Sequence, residues 1–232
     1  MLDRLKILII AAHPDDETLG CGGSIAKWVK DGHDVYVLIM AEGATSRDKT
    51  RARGTRQKEL SHLAQSAKMA GKILGVHSVE LLDYPDNRMD SVDLLDVVKA
   101  VEERIKKLQP AMVVTHHAGD LNIDHQITHQ AVITACRPLP GQTVKCILSF
   151  EVPSATEWQS PDYGRPFVPN WFEDISDTLG MKIKAMEAYE SEMRPWPHVR
   201  SIKAVEHLAR WRGASAGCEA TEAFMLVRNI KG

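Results

Sequence analysis

Cysteine is scarce in this chain. Four occur in 232 residues, Cys21, Cys136, Cys146 and Cys218, and none forms a C-x-x-C pair. That density excludes a disulfide-stapled fold and reads as reduced thiols in a cytoplasmic protein. No apolar run approaches the ~20 residues that span a bilayer. The opening MLDRLKILII is apolar for too short a stretch, and His13-Pro14-Asp15-Asp16-Glu17 follows where a small-residue cleavage site would stand. It therefore reads as a buried first strand, not a secretory segment. Charge of one sign is not in excess: 29 Lys and Arg against 31 Asp and Glu give a net charge of −2. With 44% hydrophobic and 26% charged residues, a disordered chain and a basic nucleic-acid coat are both excluded. What is plentiful is histidine, ten residues, and neutral imidazole is the commonest metal ligand.

The length suits one domain, or one domain with an appended subdomain. Apolar runs alternate with helical patterns. Strands are expected over Leu5 to Ala11, Asp34 to Met40, Ser78 to Leu82, Ala111 to Thr115 and Lys145 to Phe150. Helices are expected over Ser24 to Asp31, Thr50 to Leu74, Ser91 to Leu108 and Asp124 to Cys136, with Asp124 as an N-cap. This β-α alternation implies an α/β fold, a mostly parallel sheet with helices on both faces, over residues 1–150. Residues 151 to 175, with Pro153, Pro161, Pro166, Pro169, Gly164 and two Trp, read as an irregular loop. Ile175 to Tyr189 and His198 to Trp211 look helical, and Ala223 to Val227 looks like a last strand, so 151–232 forms a helical and loop extension.

Open parallel sheets place ligands beyond the carboxyl ends of their strands. After the first strand comes His13-Pro14-Asp15-Asp16-Glu17, a histidine and three acids in five residues. His13 and Asp16 could both turn onto one metal ion, leaving Asp15 free as a base. The plainer reading is that Asp15 and Asp16 cap the next helix, where negative charge is favoured. After the fourth strand comes His116-His117-Ala118-Gly119-Asp120-Leu121-Asn122-Ile123-Asp124-His125, with His129 one helical turn on. A catalytic zinc needs three protein ligands and an open position, which His13, Asp16 and His125 would supply. His125 and His129, at i and i+4, are a rival pair. A capping or surface role is the plain alternative for either one alone.

Ala12-His13-Pro14-Asp15-Asp16-Glu17 followed by a Gly-rich turn, together with Asn122-Ile123-Asp124-His125, resembles the PIG-L / LmbE-like family of zinc-dependent N-deacetylases. The similarity extends over nearly the whole chain. It implies a Rossmann-like three-layer sandwich, homo-oligomers and a small-molecule amino-sugar substrate whose N-acetyl group is removed. It implies a zinc site of His13, Asp16 and His125, with Asp15 as base; Fe2+ or another divalent ion suits the same donors. Arg56, Asp86 and Met89 fall at substrate-contacting positions. One departure stands out. Many members carry a histidine where this chain has Asn122, which donates a hydrogen bond to an oxyanion but delivers no proton at neutral pH. Asp15 acting twice, His116, His117, His129 or a residue of the C-terminal part is left to protonate the leaving amine. Asp124 and Asp120 are both placed to orient the metal-bound histidines.

Arg47 to Glu59 holds six basic residues against two acids, which suits an anionic substrate or, more plainly, a solvated helix face. Gly20-x-Gly22-Gly23 is an incomplete dinucleotide fingerprint, and the acids before it would repel a pyrophosphate. Trp158, Trp171 and Trp196 read as core residues, and Trp158 and Trp171, in the proline-rich stretch, alternatively as the lining of a sugar site or subunit interface. Two other functions compete: a metal-dependent amidase for a non-sugar acyl amine or sugar–thiol conjugate, and a non-catalytic protein that holds a metal or sugar.

Overall fold

The computed structural model describes residues 4–160 and 165–231, so Met1–Asp3, Pro161 and Gly164 of the segments discussed above lie outside the described residues. Five strands, β1 (Lys6–Ala11), β2 (Asp34–Ala41), β3 (Ser78–Tyr84), β4 (Met112–His116) and β5 (Cys146–Phe150), alternate with four helices. The helices are α1 (Asp16–Lys30), α2 (Gln57–Leu74), α3 (Leu94–Leu108) and α4 (Ile123–Ala135). Then follow β6 (Trp171–Asp174), α5 (Leu179–Glu187), α6 (Ile202–Ala216) and β7 (Thr221–Asn229). All seven strands make one sheet in the order β3-β2-β1-β4-β5-β7-β6. The first five pair in parallel, and β7 runs antiparallel to both β5 and β6.

The parallel strands are apolar in unbroken runs because both faces are covered. Ile7 and Ile9 of β1 face a cluster with Ile25, Trp28, Ala67, Leu74 and Met186, under α1, α2 and α5. Leu8 and Ile10 face the other way, onto Val97, Val101, Ile105 and Val132 of α3 and α4. In α3 the buried residues Val97, Val98, Val101 and Ile105 recur at helical spacing, so one stripe meets the sheet.

The boundaries depart from expectation in instructive places. Helix α1 begins at Asp16, eight residues before Ser24, because the acid-rich turn runs straight into it. Helix α2 begins at Gln57, not Thr50; the Arg-rich stretch before it is held by ion pairs. Asn122, not Asp124, caps α4: its side chain accepts from the Asp124 N–H. The proline-rich tract ends in a strand, β6, whose four residues pair only with β7 at the sheet edge. A strand this short, with alternating exposure, carries little periodicity to read.

Strand β1 has β2 on one side and β4 on the other, so the connections leaving β1 and β4 diverge and open a crevice above them. Helix α1 starts in that crevice and passes close under β5. A Cβ at Gly20 would lie 2.3 Å from the Phe150 ring. Gly20→Ala is therefore expected to destabilise the fold by about 1–3 kcal/mol through overpacking, read from the urea unfolding midpoint.

Candidate functional site

The residues after β1 and β4 meet in this crevice. Asp15 has a left-handed backbone (φ 116°), unusual for a residue with a side chain. That turn separates the two adjacent carboxylates. It is held by Asp15 C=O accepting from Thr18 and Leu19 N–H, and by the Glu17 carboxylate accepting from Asp15 N–H at 3.1 Å. Glu17 in turn accepts from the Tyr189 hydroxyl at 2.8 Å.

Asp16 points at two imidazoles. Its Oδ2 lies 3.3 Å from His13 Nδ1 and 3.1 Å from His125 Nε2. One ligand atom from each of His13, Asp16 and His125 fits within a 4.8 Å span, and all three residues are buried. Asp16 Oδ1 and both ring nitrogens of His125 have no hydrogen-bond partner. Buried polar atoms are rarely left this way unless something is meant to meet them. A second group, His13, Asp86 and Asp124, is equally compact. Its carboxylates, however, are already supplied. Asp124 accepts from Asn87 N–H (2.6 Å) and Met89 N–H (2.9 Å), and Asp86 accepts from Ser46 N–H (2.9 Å) and Asn87 Nδ2 (2.9 Å). The donor set with orphaned atoms is the one that fits a metal ion.

Asp120 and Asp124 divide the supporting role between them. Asp124 Oδ2 lies 2.9 Å from His13 Nε2, and Asp120 Oδ1 lies 3.2 Å from His125 Nδ1. Each carboxylate backs one imidazole and leaves the opposite ring nitrogen facing Asp16. Burial disfavours charge on these groups, but the carboxylates outweigh it. Next to Asp124 and Asp16, His13 is raised well above the usual imidazole range, and Asp16 with Asp120 lifts His125 to about 9. Burial would raise Asp16, yet the neighbouring His125 charge holds it well below the ordinary carboxylate range. Asp15 differs. Burial pushes it up to about 8, opposed by Arg200 and reinforced by the Asp16 charge.

The other anticipated residues fall in several places. Asn122 Nδ2 donates to Asn87 Oδ1 at 2.8 Å while its Oδ1 caps α4. Asp86 joins the site, 3.4 Å from His13 Nε2. Met89 is fully buried under α3 and α4, so its side chain is core, and its link to the site is the backbone N–H given to Asp124. Arg56 is turned onto Asp48 and Glu59, and Arg51 and Arg53 onto Glu42. These pairs occupy the guanidinium groups on which an anionic-substrate reading relied. His116 stacks on His125 with centroids 3.9 Å apart, and its Nε2 accepts from Ala12 N–H. Burial and the His125 charge hold it well below the usual imidazole range, so it is neutral. His129 Nδ1 donates to His116 C=O and His117 Nε2 to Arg165 C=O, so neither belongs to the metal group. Trp158 and Trp196 are exposed, and Trp171 is half-buried on the edge strand.

Arg200 was not anticipated. Its Nη1 lies 2.9 Å from Asp15 Oδ2, across 185 residues of sequence. It lies just before α6, which begins at Ile202 and not at the expected His198, and no local motif marks it. Thr156, from the proline-rich tract, donates to Asp120 Oδ2 at 2.7 Å and ties that tract to the site.

The chain is similar to known proteins. The family model for GlcNAc-PI de-N-acetylase, PIG-L, matches residues 8–136. The uncharacterized deacetylase YaiS of Escherichia coli (strain K12) is 32% identical over 194 residues, covering 81% of this chain and 92% of that protein. A diacetylchitobiose deacetylase of Thermococcus kodakarensis is 28% identical over 253 residues, covering 98% of this chain and 85% of its own. The solved structure of N,N'-diacetylchitobiose deacetylase from Pyrococcus horikoshii superposes with a TM-score of 0.76 at 21% identity, over 97% of this chain and 85% of that one. At that identity the likeness speaks for the fold alone.

Two outcomes are expected of metal titrations. His125→Ala abolishes binding of a divalent ion and His129→Ala does not; equal loss would favour the i, i+4 pair. Because His13 and His125 are protonated at neutral pH, a metal must displace their protons. Affinity for zinc should therefore rise with pH through about 9, where His125 gives up its proton, with protons released to buffer in calorimetry.

Proposed function

The chain belongs to the PIG-L family of deacetylases, which hydrolyse amide bonds, and on that footing we propose that it removes the N-acetyl group from an N-acetylglucosamine-like sugar or sugar conjugate, releasing acetate and a free amine. The reading is carried by two orphaned, buried ligand atoms, Asp16 Oδ1 and His125 Nε2, beside a buried carboxylate, Asp15, that is not needed to hold them. His13, Asp16 and His125 hold the metal, zinc in our reading, with Fe2+ as the alternative. Bound there, such an ion polarises the amide carbonyl and makes an attacking water more acidic.

Asp15 takes the proton of that water. Lying beside the ligand group without belonging to it, Asp15 is then placed to hand the same proton to the leaving nitrogen. Arg200 opposes the effect of burial and keeps the ionised form accessible at the start of the cycle. This double role fills the gap left by Asn122, and the ring nitrogens that His116, His117 and His129 commit to backbone groups support it. Asn122 has one amide hydrogen not given to Asn87, available to an oxyanion.

The sugar-facing side of the site comes from residues 151–232 in this reading. Arg200 reaches Asp15, Thr156 reaches Asp120, and a cleft lined by Gly119, Gln159, Arg165, Phe167 and Arg212 opens beside them. The test is Asp15→Asn in the zinc-loaded protein. Zinc stoichiometry should be kept while acetate release falls by ~10²–10⁴. The substrate class is read from a panel of N-acetylglucosamine, diacetylchitobiose, nucleotide sugars and N-acylated non-sugar amines. Turnover confined to the non-sugar amines would replace the sugar reading, and no turnover of any would replace the enzyme by a binding protein.

A further inference from the structure

Helix α1 is not continuous. Its backbone leaves the helical region at Cys21 (φ −147°, ψ 23°). An unbroken helix would join the Gly23 N–H to the Leu19 C=O. Here the ammonium of Lys182 donates to Leu19 C=O at 2.7 Å. The carboxylate of Glu222 accepts from Gly23 N–H at 3.0 Å and from Ser24 N–H at 2.6 Å. Lys182, from α5, and Glu222, from β7, are paired with each other and buried. Ammonium and carboxylate thus stand in series where the helix's own hydrogen bond is missing.

The break separates two segments with different anchors. The turn Asp16–Gly20 faces the site, and its Gly20 lies against Phe150. The rest of α1 lies against the start of α5, where Gly23 has room only for a hydrogen beside Ile175 and its carbonyl accepts from Thr178 Oγ1 at 2.8 Å. The polar groups at the junction are buried, so they need partners that the helix cannot provide. An anionic group at a helix N-terminus also interacts favourably with the dipole of the downstream segment.

We propose that Lys182 and Glu222 are positioning residues that splint the broken α1 and hold the turn bearing Asp16 in register with His13 and His125. The proposal rests on the reading of those three residues as metal ligands. Neither side chain belongs to the ligand group, so both act through the backbone of α1.

The experiment is zinc binding by chelator competition, with the visible absorption of the cobalt-loaded protein as a second readout. Wild type binds one zinc and Asp16→Asn loses it; if wild type binds none, the ligand reading falls and this inference with it. Lys182→Met and Glu222→Gln are expected to weaken zinc by ~10–100-fold, the range for residues that orient ligands, and to change the cobalt spectrum. Lys182→Arg, which still donates to Leu19 C=O and has a small cavity beside it, should restore both. Folded Lys182→Met and Glu222→Gln proteins with wild-type affinity and spectrum would overturn the splint while leaving the ligand reading intact. Should these two not fold, amide exchange in wild type decides. Coupling is reciprocal, so zinc must slow exchange at Gly23 and Ser24, and unchanged rates there reject the proposal.

Discussion

Asp16 is the constraint around which the rest is arranged. It is an ionised carboxylate with no exposed surface, and a buried charge is tolerated only when it is paired and hydrogen-bonded. Two imidazoles provide the opposite charge. They in turn need carboxylates behind them, which Asp124 and Asp120 supply. The result is an alternation of acid and base reaching from α1 through the two histidines to the start of α4. Its inner atoms, Asp16 Oδ1 and His125 Nε2, stay unpartnered, an arrangement that a metal ion would complete.

Asp124 extends this order outward. The same carboxylate that backs His13 accepts the N–H groups of Asn87 and Met89, and so shapes the loop after β3. Asp86 and Met89 therefore mark the loop for different reasons. One side chain enters the site and the other anchors the loop in the core. The basic stretch before α2 shows the same economy: its arginines are bound to Glu42, Asp48 and Glu59 and fasten the loop between β2 and α2. The C-terminal elements close the site from the far side. Arg200 meets Asp15, Tyr189 meets Glu17, and Lys182 with Glu222 meets the break in α1.

Much of this was legible along the chain. Continuous apolar strands between amphipathic helices announce a covered parallel sheet, since each element's periodicity is set by its own faces. The metal-ligand candidates were legible because each lies in a dense local motif at a strand's carboxyl end. Strand β6 was not, being four residues on the sheet edge with nothing to alternate against. The sequence pattern shortens helix α1, because Pro14 and the adjacent acids look like a loop, whereas the acids enter its first turn.

Residue type and local spacing thus settled the fold class, the crevice and a short list of candidate ligands, since these depend on contacts within a strand, a turn or a helix face. Only the tertiary structure placed the candidates. It set His125, not His129, beside His13 and Asp16, gave Asp120 and Asp124 one imidazole each, moved Met89 into the core and turned Arg56 away onto Asp48 and Glu59. It also brought Arg200 to Asp15 across 185 residues and Lys182 to Leu19 across 163. The reason is physical. A buried charge or an open backbone group is satisfied by whatever the fold carries to within 3 Å, and over such separations no local pattern records which residue that is.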